Sequence, residues 1–452
     1  MSQRRHDFTR GSILRQLVTF SGPIMVANLL QTSFQLVDSL WIGNLLGARS
    51  LGAVAVSGVL MFTVLSFVIG MNSAALTILS QQRGRNDEAG LRDYLNAFVV
   101  ILFLLSVALG IAGFFLSGTL LGVLGTPADI MEDARQYLQI TFLGMLFLFG
   151  YNFIATVLRA VGDSRTPMRF VALAVALNVV LDPLLIHTAG LGIRGAAFAT
   201  VISQGTAFVY GITYILRNQL APVQVPRVPT RTQTRTILHL GIPAGLQMAV
   251  ISAGSAAIMS VVTSFGADVV GGFGAAQRLD QLIMLPAQAL GISVASMAGQ
   301  NIGNRNWERV DQIARVAVVY NLVIMFSIAL VVVVVAEPAI RLFIRDPEAV
   351  AFGTSYLRII ALCYPFLGIN FVLNGVVRAS GAMYQVLVLN VISFWVLRYP
   401  LTLLFADLLG QGGVAVGMGT SFVISSVVAF GYFRLGRWRD KQLFDEPAHP
   451  GS

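Results

Sequence analysis

The chain has 452 residues, 56% hydrophobic and 11% charged, with a mean hydropathy of +0.76. Soluble domains carry about 25% charged residues, and a single soluble core does not reach this length without dividing, so lipid must be the solvent for most of this chain. The net charge of +9 sits on Arg residues in short gaps between apolar runs, which argues against a nucleic-acid-binding face. The single cysteine, Cys363, excludes an intrachain disulfide and Cys-based metal spacings.

A membrane-spanning helix needs about 20 mostly apolar residues. The first such run starts at Ile13 and continues too long, without a small-residue cleavage site, for a removable signal peptide. In chain order the predicted helices are 13–46, 51–79, 94–124, 134–159, 168–189, 194–216, 237–265, 270–299, 312–336, 351–377, 385–408 and 412–435. Glycine-rich breaks such as Gly47-Ala48-Arg49, Gly162-Asp163-Ser164 and Gly190-Leu191-Gly192 separate them. The longest polar gap, 217–236, holds three prolines and four arginines and reads as a linker.

Basic residues set the orientation, because Lys and Arg are retained in cytoplasmic loops. With the N-terminus inside, inner segments hold 22 Lys and Arg and outer loops hold five: Arg49, Arg135, Arg194, Arg341 and Arg345. Arg278, Arg358 and Arg398 lie within runs. Both termini are therefore expected in the cytoplasm, which requires an even number of spans. The chain also repeats itself. Gly47, Gly52, Gln81, Gly84, Arg159 and Gly162 recur 219 residues later as Gly266, Gly271, Gln300, Gly303, Arg378 and Gly381, and Pro23 recurs at Pro243, one residue out of register. The expected fold is an all-α integral membrane protein of twelve transmembrane helices in two six-helix lobes, parallel repeats about an axis along the membrane normal. The expected domains are an N-lobe (1–216), a cytoplasmic linker (217–236), a C-lobe (237–436) and a cytoplasmic tail (437–452).

Ionisable groups inside a bilayer are expensive and need a reason. Asp38 lies nine residues before Gly47, roughly 13 Å from that helix end, and Asp182 eight before Gly190, roughly 12 Å. Asn178 is one turn before Asp182 and shares its face, and Thr200 is roughly 9 Å into the next helix. Pro183 supplies no N–H, which frees a carbonyl near Val179. Carboxylates and freed carbonyls at one depth suit a proton, a cation or water. The plainer reading is that Asp38 and Asp182 bond neighbouring helices; for Asn178 and Thr200 taken alone, helix–helix hydrogen bonding serves equally well. Asn152, Asn374 and His187 read as ordinary polar residues. Asp280 reads as a structural ion pair with Arg278, and Arg398 as a side chain that snorkels. Pro23 and Pro286 fall within helices and permit bending. Phe and Met are abundant, which suits an adaptable apolar cavity, although most must face lipid or core.

SGPIMVANLLQTSFQLVDSLWIGNLLG (21–47), the paired loops SQQRGRND and GQNIGNRN, and the pair VLRAVGDSRTPM and VVRASGAMYQVL together resemble the MATE (multidrug and toxic compound extrusion) family, from about Ile13 to Arg434. Within it the chain is most similar to the DinF-like branch, marked by the helix-one acid, here Asp38. That resemblance implies an N-lobe site for a proton, or a sodium ion, at Asp38, Asn178, Asp182 and Thr200, with Pro23 associated with bending of the first helix. The NorM-like branch places acids in the seventh and tenth helices, and the corresponding stretches here, QMAVISAGSAAIMSVV and FLGINFVLNGVV, contain none. The implied activity is secondary antiport of cationic amphipathic organic compounds against H+ (or Na+) by alternating access, with no cofactor, from a monomer in a prokaryotic cell membrane. A lipid-linked oligosaccharide or lipid flippase of the same superfamily is the alternative; it would favour a more cationic cavity. A major-facilitator transporter lacks support in the loop QQRGRNDEAG. A membrane enzyme would need a nucleophile–base or metal constellation, and HExxH, GxSxG and paired His are absent from the sequence.

Overall fold

A computed structural model describes residues 7–222 and 226–444. Residues 223–225 of the expected linker and 445–452 of the expected tail lie outside the described residues, as do Arg4, Arg5, His6 and His449. The first seven helices are α1 (Ile13–Leu46), α2 (Ala48–Gly84), α3 (Glu88–Val123), α4 (Ala128–Leu143), α5 (Met145–Ala160), α6 (Arg165–Pro183) and α7 (Ile193–Asn218). Then follow α8 (Arg231–Thr263), α9 (Ala267–Ile283), α10 (Leu285–Gly303), α11 (Trp307–Arg341), α12 (Pro347–Ala361), α13 (Tyr364–Ala379), α14 (Met383–Val391), α15 (Tyr399–Leu409) and α16 (Gly413–Leu435). There is no strand among the described residues.

Among the described residues these helices make twelve spans. Seven stretches cross singly, and α9 with α10 forms one further long apolar stretch. Two pairs, α4 with α5 and α12 with α13, each form one span bent by 52° and 51°. The 53-residue stretch Met383–Leu435 turns back at Gly410 (φ 66°) and supplies two spans. The first of these is α14 and α15 joined by the π-helical segment Ile392–Arg398. The helices expected over 134–159 and 351–377 are thus each present as one span broken by a bend. The breaks fall at Gly144 and Cys363, which are 219 residues apart. At Gly144 a Cβ would lie 2.4 Å from the Val201 side chain, so a residue without a side chain lets α7 close on the bend. At the second break Pro365 opens α13, where a missing N–H costs nothing.

The repeat is visible in the turns. Gly47 and Gly266 have φ 84° and 99°, Gly162 and Gly381 90° and 91°, and Asn86 and Arg305 55° and 58°, each pair 219 residues apart. The following helices start alike: the Asp87 carboxylate accepts from the Gly90 N–H at 2.8 Å and the Asn306 side-chain oxygen from the Arg309 N–H at 3.1 Å. Each satisfies an orphan donor of the first turn.

Two compact units result. Among the described residues the first contains 22–222 and 226–239, and the second contains 240–444 together with 8–21. The divisions fall just ahead of the paired prolines Pro23 and Pro243, inside α1 and α8 rather than in the polar gap between them. In the first unit, Ile154, Leu158, Phe170 and Ala207 form a core with Tyr151. In the second, Phe273, Tyr356, Ile360 and Phe422 do. Outside these cores α3 and α11 expose large apolar side chains such as Leu104, Phe115, Leu330 and Val334, as a lipid-facing surface requires. The segment after α16 is also packed in the second unit: Trp438, in the turn Arg437–Asp440, is fully buried and donates to the Phe433 carbonyl at 2.8 Å.

The segment before α1 is held in the second unit by specific bonds. The Phe8 ring is fully buried and meets Phe20 edge-on at 4.9 Å. Its carbonyl accepts from Asn301 Nδ2 at 3.0 Å and Arg309 Nε at 2.9 Å, and its N–H donates to Gln300 Oε1 at 3.3 Å. Truncation to Phe8→Ala is expected to cost roughly 3–5 kcal/mol, seen as a lower thermal unfolding midpoint of the detergent-solubilised protein. An unchanged midpoint would mean that this segment is not anchored in solution.

Candidate ion site in the first unit

Three helices of the first unit carry the polar groups. Asp38 sits on α1, Asn178 and Asp182 on α6, and Thr200 on α7. The α6–α7 connection sets their depth. After Pro183 the chain continues as a π-helical segment, Leu184–Thr188, closed by the Ala189 N–H bond to the Leu184 carbonyl at 2.8 Å. Proline withdraws the i→i−4 bond to Val179 and so loosens the last turn. α7 then returns so closely that a Cβ on Gly195 would lie 2.6 Å from the Leu185 carbonyl carbon. In this tight hairpin Ile186 packs with Ala196, and Asp182 and Thr200 each lie one turn further from the connection.

Asn178 and Asp182 are fully buried and Asp38 nearly so. Asn178 Nδ2 donates to Asp182 Oδ1 at 3.2 Å, as the one-turn spacing predicts. The Asp38 and Asp182 carboxyls are within hydrogen-bonding reach of one another. Ionised carboxylates only accept, and two like charges in a low dielectric repel strongly. A proton or a cation between the two groups would relieve that repulsion. Unsatisfied oxygens point the same way: Asp38 Oδ1 and Asp182 Oδ2 of the pair itself, and Asn178 Oδ1 and Thr200 Oγ1 besides, are buried without a hydrogen-bond partner. Buried polar atoms are normally satisfied. Four orphan oxygens on three helices make a set of hard donors suited to H+, Na+ or water.

Sequence reasoning missed three neighbours. The Tyr137 side chain, on α4, lies within electrostatic reach of both acids. Trp41 Nε1 and Ser203 Oγ are buried and without a partner. Trp41 is three residues after Asp38 and Ser203 three after Thr200, so helical spacing alone would have placed both on the site's faces. Tyr137 comes from a helix whose approach has no local signal. An apolar layer of Ile42, Ile186 and Ala196, with Trp41 and Tyr137 packed against it, closes one side. Each of the first three lies one turn from a polar group of the site: Ile42 from Asp38, Ile186 from Asp182, and Ala196 from Thr200.

Asn374 Oδ1, in the second unit, is likewise buried without a partner, whereas Asn152 is bonded locally. Asn152 Nδ2 donates to the Leu148 carbonyl at 2.8 Å, and His187 is exposed. The expected Asp280–Arg278 pair is corrected. Asp280 accepts from Tyr364 and, at 3.4 Å, from Tyr356, while Arg278 stands over the Phe343 ring at 5.7 Å. Residues two apart on a helix do not share a face. Arg398 does not snorkel: it is 6% exposed, held between Phe394 and Phe422 at 3.8 and 4.5 Å, with Nε 3.4 Å from Ser421 Oγ. Pro23 lies inside α1, which runs helical through it, and Pro286 lies in the first turn of α10.

The MatE family model matches residues 23–184 and again 243–404, nearly three quarters of the chain and once per repeat. The chain belongs to the MatE family. It is 58% identical over 443 residues to "Probable multidrug resistance protein YpnP" of Bacillus subtilis, covering 98% of this chain and 100% of that protein. A 24% identical relative, covering 94% of this chain and 95% of its own, is a "FAD transporter" of Shewanella oneidensis. In fold it is similar to an outward-facing multidrug resistance MATE transporter, with a TM-score of 0.89 at 22% identity, covering 96% of this chain and 98% of the other. As a MatE protein, this chain is a multi-pass membrane transporter of the multidrug efflux family.

Thr200 separates an ion ligand from a structural hydroxyl. Its Oγ1 makes no bond, so Thr200→Val removes no hydrogen bond and relieves a buried orphan. The thermal midpoint of the ion-free, detergent-solubilised variant is expected to be unchanged or higher. A midpoint several degrees lower would show that Thr200 ties α7 to its neighbours.

Proposed function

We propose that the protein is a secondary active exporter of cationic amphipathic organic compounds, driven by proton (or sodium) antiport through alternating access. It works as a monomer in a prokaryotic cell membrane with both termini in the cytoplasm. The observation that carries this reading is the buried acid pair Asp38–Asp182, with its orphan oxygens and with Asn178 and Thr200 beside it. Membership of a multidrug efflux family and the likeness to a multidrug resistance protein support the cargo class.

The physical logic is differential affinity. A proton or Na+ between the two carboxylates removes their repulsion and stabilises the packing of α1 against α6 and α7. Loss of that ion leaves net negative charge in a low dielectric, which favours a rearranged state or a cationic cargo nearby. Coupling is bounded by the difference in each ligand's affinity for the two states. Pro23 leaves the Thr19 carbonyl without its i→i−4 donor and gives α1 a place to bend as the ion leaves. The flippase alternative asks for a row of cationic side chains; Arg398 is a single guanidinium enclosed by two aromatic rings.

The test is dye efflux from proteoliposomes under an imposed proton gradient, repeated under a sodium gradient. Gradient-driven efflux is expected from the native chain and a loss of at least about tenfold, about 1.4 kcal/mol of coupling, in Asp38→Asn. Equal efflux by both proteins would leave Asp38 as a helix-packing residue, and no efflux under either gradient would favour the flippase. The two acids are expected to act as a unit, so Asp38→Asn/Asp182→Asn should transport no worse than the more defective single variant. Additive losses would separate them.

A further inference from the structure

Basic residues are scarce at the end of the second unit remote from Phe8 and Trp438, yet three of them converge there. α11 begins where Phe8 and Trp438 are packed, with Arg309 holding the Phe8 carbonyl and Trp307 6.0 Å from Trp438. It runs 35 residues, roughly 50 Å, to Arg341. Between its last turn and one face of α12 lies a groove of about 460 Å³, lined among others by Glu337, Arg341, Arg345, Thr354 and Arg358.

The charges in this groove are not balanced. Glu337 Oε1 accepts from Arg341 Nε and Nη2 at 3.1 and 2.7 Å, which neutralises that pair. Asp346, beside Arg345, is engaged in capping α12 through the Ala349 N–H at 3.0 Å. Arg358 donates through Nε to the Val333 carbonyl at 3.2 Å. That bond fixes the guanidinium plane, and the Nη groups have no partner among the described residues. Arg345 has none either. Thr354, one turn before Arg358 and 6% exposed, presents an Oγ1 without a partner. Two guanidiniums and a hydroxyl donor around a polar cleft suit a phosphate monoanion, which a guanidinium binds through two parallel N–H groups.

The depth selects the source of that phosphate. No charged residue lies between Arg315 and Glu337 on α11, roughly 30 Å of helix, which matches the hydrocarbon thickness. Glu337 therefore marks the boundary, and Arg358, at Val333, sits one turn inside it. Directly below, Leu330, Val331 and Val334 form an exposed apolar strip. A ligand with a phosphate at one end and acyl chains at the other fits both surfaces at once; a soluble anion leaves the strip unused.

We propose that this groove binds an anionic glycerophospholipid of the leaflet remote from Phe8 and Trp438, its phosphate between Arg345 and Arg358 and its acyl chains along α11. Phosphatidylglycerol titrated into the detergent-solubilised full chain, followed by native mass spectrometry and thermal unfolding, is the test. Retained phosphatidylglycerol adducts and a raised midpoint are expected. Affinity should fall at least about tenfold in Arg345→Gln/Arg358→Gln, each lost charge-assisted bond contributing a factor of this order. Thr354→Val, which leaves the charges intact, should weaken binding about threefold, and Arg434→Gln at the opposite end should leave it unchanged. Equal binding by the double variant would overturn the site, as would an equal loss in Arg434→Gln. Inorganic phosphate that stabilises the native chain and displaces the lipid would overturn it in favour of a soluble anion.

Discussion

The cost of an unpaired polar group in a low-dielectric interior is the constraint on which this structure depends. It forces the backbone into helices throughout, and it makes each buried side-chain oxygen either a bonded partner or a ligand position. Many buried hydroxyls here bond a backbone carbonyl three or four residues back, as those of Ser57, Ser293 and Ser380 do. Asp38, Asn178, Asp182 and Thr200, on three helices of one unit, each leave a buried oxygen without a partner. That concentration, rather than the presence of acids as such, separates the site from Asp280, whose two oxygens are taken by Tyr364 and Tyr356.

The repeat supplies the scaffold but not the chemistry. Turns and caps recur at one spacing because the same glycines and the Asp87 and Asn306 caps recur; the helix breaks keep that spacing with different residues, Gly144 and Cys363. The polar cluster has no counterpart at that spacing: Asp38 corresponds to Ala257 and Asn178 to Leu397. The buried acid pair is thus confined to one unit, while the other carries a carboxylate held by phenols and a guanidinium held by aromatic rings. Under the proposed function, this asymmetry makes one half responsive to the ion and leaves the other without an equivalent site.

Much of this was legible in the sequence. Apolar run length gave the spans, because lipid sets helix length, and the 219-residue spacing of Gly47, Gly162 and their partners gave the two units. Asp38 and Asp182 stood out because charges in such runs are rare, and the Asn178–Asp182 bond followed from one-turn spacing. The bends at Gly144 and Cys363 were hidden, since hydropathy averages over a kink as easily as over a straight helix. Tyr137 was hidden because its approach depends on how α4 packs, and the aromatic cage of Arg398 because Phe422 comes from another helix. The contact boundaries inside α1 and α8 were hidden too: a polar gap marks where the chain leaves the membrane, not where its contacts change partner.

Counting ions displaced by cargo tests the central claim most directly. Purified protein in weakly buffered detergent solution, mixed with a cationic dye, should release about one proton per dye bound, since an ion held between two carboxylates and a cationic cargo compete for the same negative charge. In sodium-loaded protein the equivalent result is release of Na+. The Asp38→Asn/Asp182→Asn variant should release neither. Stoichiometric dye binding by the native chain with no ion displaced would contradict the account and leave the acid pair as a structural bond between helices.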